Sequence, residues 1–464
     1  SDYHERTRLF SAKSFLGNLF AMGTPWLIFL AGLKFFRGPA GDLTEGMRYV
    51  SMFIAAALIP LACLWFLVLR EPGYAIAQER PKSNFWSDMG TTFGNETFIR
   101  LVVIIFTLAM GFNFVALFNY YITIFYLYGG DVLAAGTLLG VNGTVWAVTG
   151  LVAVFPLNWL SRRLGKNKTL LIAILLMCAA QLAKIVCYRP GVLFQFETPE
   201  ILLRLLPDAY RVITIQAPYL TLIPTILLSS GMLMFFTLGS SMVGDICDED
   251  ELHTGQRSEG TYYSVFWWFI KMGTAFASFV TGLLLVFTSF DETQNVTVDA
   301  LSANVTVLRA EAESWLAEEE ISADRTMKID EQLVKLAANA EKLVSRFESR
   351  SDESAARAAH SDHLSETAHS VRAAAASLQE NRDTWLASPN ELLTAADELQ
   401  AQITFLRRQS PETLFRLRLV EIGLPLALSV VSIFLTLRYP LTEERCYEIK
   451  ELLKLRRGEL ATQS

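Results

Sequence analysis

The chain is poor in cysteine, with five in 464 residues. Cys63, Cys178, Cys187, Cys247 and Cys446 are scattered, with no C-x-x-C or other ligand spacing. That excludes a disulfide framework and a cysteine metal site. No nucleophile elbow, H-E-x-x-H or dinucleotide glycine motif occurs, so no enzymatic chemistry is legible. Gly165-Lys166 resembles only the tail of a P-loop and lacks the first glycine, so no ATP-driven mechanism is visible. Nothing points to a nucleic-acid partner or to a bound cofactor. Glycine and proline are missing altogether from 290 to 388.

Hydrophobic residues are abundant. They make up 52% of the chain, aromatics make up 12%, and the mean hydropathy is +0.32. The apolar runs are too long and too many for one soluble core. Eight membrane helices are predicted, at 10–34, 47–69, 98–128, 132–157, 168–188, 218–243, 261–289 and 413–438. Each holds about the 20 apolar residues that a span requires. The expected fold is therefore an all-α polytopic membrane protein, with membrane lipid as its surroundings.

Lys and Arg placement sets the expected orientation. With the N-terminus inside, loops 1–9, 70–97, 158–167, 244–260 and the tail 439–464 carry most of the basic residues, including Arg162, Arg163, Lys166, Lys450, Lys454 and Arg456. Loop 129–131 has none and loop 35–46 has only Arg37; loop 189–217, with three arginines, is a mild exception. The C-terminus is thus expected in the cytoplasm.

The stretch 244–285 is the most informative. A polar run, GDICDEDELHTGQRSEG (244–260), leads into the apolar helix TYYSVFWWFIKMGTAFASFVTGLLL. That helix carries one charge, Lys271. At about 1.5 Å per residue the lysine lies roughly 16 Å past Gly260, near the middle of a hydrocarbon core about 30 Å thick. An ammonium there is costly and marks a substrate or ion pathway. The competing reading is a structural lysine paired with a backbone carbonyl or with a carboxylate such as Glu421. Trp267 lies one turn before it, as a ring to stack on a sugar or simply to pack.

Other polar groups sit on apolar helices. The third predicted helix carries Asn113, Asn119, Tyr120 and Tyr121, and the fourth carries Asn142, Thr144 and Trp146. Amides, hydroxyls and flat rings suit a neutral polyol; interhelical hydrogen bonding is the alternative. Lys13, at the start of the first helix, either snorkels to the interface or faces a cavity. Asp245, Asp248, Glu251 and Arg257 fit a cytoplasmic gate, in which charges pair across a closing interface. The alternative is a solvated loop, with Gly255 and Gly260 allowing turns.

Residues 290–410 form a separate acidic insert. They hold 22 acidic and 12 basic residues, a net of −10 against −7 for the whole chain, which leaves +3 for the rest. Four blocks step 4-3-4-3: Leu301 to Trp315, Ile329 to Phe347, Leu364 to Leu378 and Leu392 to Leu406. Ser388-Pro389-Asn390-Glu391 has the pattern of a helix start. A helical bundle or coiled-coil hairpin outside the cytoplasm is expected, rather than a flexible acidic spacer. It offers a surface for a protein partner or for self-association. Asp362, Glu366 and His369 share a helical face, read as a solvated hinge rather than a metal site.

The segment 244–285 resembles the glycoside–pentoside–hexuronide:cation symporters, the melibiose-carrier group of the major facilitator superfamily. The similarity rests on Asp245, Asp248, Glu251, Thr254, Gly255, Arg257, Glu259 and Gly260, followed by Lys271, Gly273, Ala275 and Ala277. Gly244 stands where the family pattern has alanine. SDYHERTRL (1–9), Asn95 to Leu101 and LSRRLGKNKTL (160–170) resemble further family segments in the same order.

On that register the eight helices correspond to helices five to twelve of a twelve-helix fold. The chain, beginning at Ser1, is expected to lack the first four and most cation-site carboxylates with them. The expected divisions are 1–69 (two helices of the N-terminal half), 70–97 (middle loop), 98–289 (five helices of the C-terminal half), 290–410 (insert), 411–438 (last helix) and 439–464 (basic tail). The resemblance implies a secondary active transporter that takes up a sugar or glycoside with Na⁺ or H⁺ by alternating access, in a bacterial inner membrane. Its substrate-contacting residues are expected to be Lys271, Lys13, Trp267, Asn119, Tyr120 and Trp146. The coupling-ion site is not visible in the chain. Lys13 falls where the family usually carries arginine, and Trp267 where melibiose carriers have a small hydroxyl residue. The alternatives are a carrier of lysophospholipid-like amphiphiles in the same fold, and a non-transporting scaffold acting through the insert.

Overall fold

The computed structural model describes residues 23–37, 43–68, 85–197, 212–255, 258–316, 323–349 and 355–463, together with positions 12 and 17. Lys13 and Arg257 lie outside the described residues. The protein is almost wholly helical. After a 3-10 turn at Thr24–Trp26 come α1 (Leu27–Gly32), α2 (Lys34–Arg37), α3 (Leu43–Val68), α4 (Phe85–Gly94) and α5 (Glu96–Tyr121). Then follow α6 (Val132–Cys187), α7 (Leu222–Thr254) and α8 (Glu259–Phe287). The insert supplies α9 (Glu292–Trp315), α10 (Ala323–Glu348), α11 (Ala355–Glu380), the short α12 (Arg382–Ala387) and α13 (Pro389–Leu406). The last two helices are α14 (Pro411–Leu437) and α15 (Glu443–Gln463). Among the described residues, α3, α5, α6, α7, α8 and α14 are long and apolar enough to cross a membrane.

Several boundaries depart from expectation. The basic loop expected at 158–167 is helical except at Gly165 (φ 79°, ψ 167°), which breaks α6 into two limbs, 132–164 and 166–187. That backbone region is open essentially to glycine alone. The loop expected at 244–260 is helix as far as Thr254; α7 continues three turns past the apolar run and stops at Gly255 in the left-handed region (φ 74°). Over 23–37 the expected first helix is split into a 3-10 turn and two short helices, with Leu33 extended between them. α5 runs on as a π-helical segment, Ile122–Leu127. The expected loop after 188 contains an antiparallel hairpin, Val192–Glu197 with Val212–Gln216.

The membrane body is built around α5. Asn95 caps it by accepting from the Phe98 N–H (3.0 Å). α8 packs on one side of α5 and α14 on the other, while α7 packs along both limbs of α6. Phe98, Leu101, Ile105, Ile174, Phe235, Leu238, Met242 and Phe266 form the shared core.

The insert is a closed four-helix bundle: α9 packs on α10, α10 on α11, α11 on α13, and α13 back on α9. Its core consists of the heptad residues, among them Leu301, Leu308, Leu333, Leu336, Val371, Leu399 and Ile403, all essentially sealed from solvent. Ser388 occupies the cap position of α13, but its side chain makes no capping bond. At the base of the bundle, α9 and α10 are joined through one carboxylate. Asp291 caps α9 through the Gln294 N–H (3.0 Å) and accepts from Arg346 Nε (2.9 Å) and Nη2 (2.8 Å). His360, His363 and His369 face separate neighbours: the Arg408 carbonyl, the Phe405 ring and Glu348. No cluster that could hold a metal occurs among the described residues.

Candidate substrate site

A cavity of about 500 Å³ opens inside the membrane body. α5 contributes Phe112, Asn119 and Tyr120, and α6 contributes Asn142, Trp146 and Lys184; Tyr188 follows α6, and Thr225 and Leu228 come from α7. The Trp146 ring lies over Phe112 (centroids 5.5 Å apart, tilted 35°), and its carbonyl accepts from Ser229 (2.6 Å). Asn142 donates to Thr221 (3.3 Å) and accepts from Thr225 (3.2 Å), which fixes the amide at the wall. Asn119 Oδ1 accepts from the Tyr188 hydroxyl (3.2 Å). On one side the wall includes Thr24, Leu27 and Ile28. Trp26 holds that segment by donating to Thr144 (2.7 Å), its ring seated on Gly140, where a Cβ would fall 2.8 Å from the indole.

Three of the residues expected to touch substrate, Asn119, Tyr120 and Trp146, therefore meet in this cavity. Trp267 and Lys271 do not line it. Both are exposed, on the side of α8 opposite the residues that pack on α5, such as Val265, Phe266, Ile270 and Gly273. Lys271 has no ion-pair partner among the described residues; Glu421, one candidate for that part, is taken by Lys184. Asn113 serves as an interhelical tie, donating to Thr274 of α8 (3.1 Å) and to the Ala109 carbonyl (2.7 Å).

The acidic segment is likewise not a solvated loop. Asp245, Asp248 and Asp250 are buried and Glu251 is half-buried. Asp245 Oδ2 accepts from Lys166, at the start of the second limb of α6, at 2.5 Å. Tyr262 joins Asn95 (3.3 Å) and reaches Asp250. α15 lies across this end: Asn167 donates to the Leu441 carbonyl (2.7 Å), and Arg456 donates to the Leu252 carbonyl (3.3 Å). On the buried face of α15, burial and the Asp245 charge raise the Cys446 thiol to about 12.

Two charged residues of the body were passed over as sites in the sequence. Lys184 and Glu421 form a buried ion pair between α6 and α14. Each is a charge on an apolar helix, Glu421 well inside α14 and Lys184 within the last turn of α6, and such charges are costly unless paired.

A sequence model of the family described as MFS/sugar transport protein matches residues 1–309, which is 309 of the 464 residues. The match takes in all of the cavity wall and the acidic segment, and it ends within α9. No curated protein and no solved structure matches the chain. The family, the membrane-crossing helices and a cavity with mixed polar and aromatic walls agree: this is an integral membrane transporter of the major facilitator type, and the chain belongs to the MFS/sugar transport protein family.

Proposed function

We propose that the protein is a secondary transporter of a sugar or glycoside, coupled to a cation and working by alternating access, within the melibiose-carrier-like branch. The carrying observation is the cavity wall. Asn119, Asn142, Tyr120 and Thr225 offer donors and acceptors, and Trp146 offers a flat face within the same 500 Å³ space. That combination suits the hydroxyl rim and apolar face of a pyranose ring. Lys271 adds support. An ammonium midway along an apolar helix is costly against lipid, so its side of α8 is assigned to the interior that the opposing half of a carrier encloses. The bundle is placed outside the cytoplasm and the C-terminus inside, following the basic residues.

A second reading has an observation of its own. Much of the cavity wall is apolar, including Leu27, Ile28, Met47, Leu139 and Leu228. A lysophospholipid-like amphiphile, with a polar head toward Asn119 and a chain along these residues, also fits. Reconstituted full-length protein separates the two. Uptake of labelled mono- and disaccharides or nitrophenyl glycosides, unaffected by lysophosphatidylcholine, supports the sugar reading. Uptake of lysophosphatidylcholine alone overturns it.

A further inference from the structure

The ion pair between Lys184 and Glu421 is sealed: the side chains are 2% and 0% exposed. It is nonetheless next to the cavity, because Lys184 and Tyr188 form part of the cavity wall. Lys184 Nζ lies 5.6 Å from the centre of the Tyr188 ring, and the Tyr188 hydroxyl reaches Asn119 in the same wall. Glu421 Oε1 takes the lysine; Oε2 is buried without a hydrogen bond of normal length, its neighbour Tyr188 giving its hydroxyl to Asn119 while still interacting with the carboxylate. Pro425 follows one turn later in α14. Having no N–H, it leaves the Glu421 carbonyl without its helical bond, although α14 continues through both residues. A half-satisfied buried carboxylate beside a missing helical hydrogen bond, one side chain away from a substrate-sized cavity, needs a reason.

We propose that Glu421 carries the coupled proton, and that Lys184 is the counter-ion which substrate in the cavity draws away; this rests on the transport reading above. A buried pair is tolerable only while both partners stay. When a substrate oxygen in the cavity takes hydrogen bonds from Lys184, the carboxylate is left uncompensated in a medium that penalises isolated charge. It then takes a proton from hydronium in the cavity water: the hydronium O–H bond breaks, leaving water, as an O–H bond forms at Oε2, while Lys184 remains an ammonium. One substrate and one proton are thus held together. On release, Lys184 returns to Glu421, the O–H bond breaks and the proton leaves with water on the other side. Lys184 and Tyr188, from α6 and its end, act directly on Glu421, and Tyr188 in turn is acted on by Cys187 beside it and by Arg418 from α14. Tyr126, after α5, is held by Arg418 (2.7 Å). Lys184, in contact with the carboxylate, and Arg418, which acts on the same tyrosine as Glu421, are both cations, which repel a metal cation and favour a proton.

Two measurements on the full-length protein test this. The first is an infrared titration in proteoliposomes, which needs no substrate. A protonated-carboxyl band that grows as pH falls is expected in the wild type and is lost in Glu421→Gln. In Lys184→Gln the band persists to higher pH, because the counter-ion is gone. The absence of any band removed by Glu421→Gln overturns the proposal. The double variant Lys184→Gln/Glu421→Gln, neutral at both positions, guards against misfolding of either single variant. The second is accumulation of nitrophenyl galactoside under an imposed pH or sodium gradient. Wild-type accumulation driven by the pH gradient, with loss of that stimulation in Glu421→Gln, supports the proposal. Accumulation driven by sodium alone overturns it. If the wild type takes up no glycoside under any gradient, the sugar reading fails, and the infrared titration still decides the role of Glu421.

Discussion

Lys166 Nζ lies 2.5 Å from Asp245 Oδ2, and both side chains are buried. The pair joins the start of the second limb of α6 to the last three turns of α7, at the end of the body away from the bundle. It anchors the acidic segment against the break at Gly165, and α15 closes over both. A buried pair is worth little against a well-packed apolar replacement, but losing one partner strands the other.

Asp245→Asn should therefore destabilise the protein by about 3–5 kcal/mol, because it removes the carboxylate that the buried Lys166 ammonium holds at 2.5 Å. The double replacement Lys166→Met/Asp245→Leu should cost clearly less. Thermal unfolding of the detergent-solubilised protein reads the difference; equal losses in the single and double variants would contradict the argument.

Gly165→Ala should cost about 1–3 kcal/mol through backbone strain alone, since its φ of 79° and ψ of 167° lie where a Cβ is excluded. The added methyl also meets Glu443 Oε2 at 2.5 Å. That contact is with the end of a flexible side chain, so Glu443→Ala should not rescue the variant. Full rescue in the double variant would show the contact, not the backbone, to be the cause.

In the bundle, Leu336→Ala should destabilise the insert by about 2–5 kcal/mol, as expected for truncating a sealed aliphatic side chain. Val334 is exposed on the same helix, and Val334→Ala should change stability by no more than about 0.5 kcal/mol. Hydrogen exchange over 290–410 measures both.

His360 makes the base of the bundle sensitive to pH. Burial pushes its imidazole below the usual value, outweighing its hydrogen bond with the Arg408 carbonyl. The folded state thus binds fewer protons than the unfolded state between the two values. Its contribution is present in full above the ordinary histidine value, about 6.5, and is lost as pH falls through the depressed one. Bundle protection should fall across that window in the wild type and fall less in His360→Gln. An identical pH slope in the two proteins would rule out this assignment.

Much of the fold is legible in residue spacing. Leu301, Val305, Leu308, Ala312 and Trp315 recur every three or four positions, and these are the side chains sealed inside the bundle. Apolar run length likewise marks α5, α7, α8 and α14, because hydrocarbon demands it. The acidic segment was harder to read. Asp245, Asp248 and Asp250 look solvated by composition, yet α7 continues through them. Their charges are met by Lys166 and Tyr262, which lie 79 and 12 or more residues away in sequence. Local polarity carries no information about such distant partners.

The candidate site divides in the same way. Asn119, Tyr120 and Trp146 stand out because polar and aromatic groups on apolar helices are uncommon and costly to leave unused. Lys184 and Glu421 have the same local signature but were legible only as isolated charges, 237 residues apart.

By itself, the sequence determined the long apolar helices α5, α7, α8 and α14, the four heptad helices of the insert, and which family the chain belongs to. These follow from periodicity, run length and motif, all of which are local quantities. Only the tertiary structure decided that Glu421 answers Lys184 and not Lys271, that the acidic segment is buried, and which polar residues share a cavity. Those outcomes depend on how the helices pack, and buried charges select their partners through the space that packing creates.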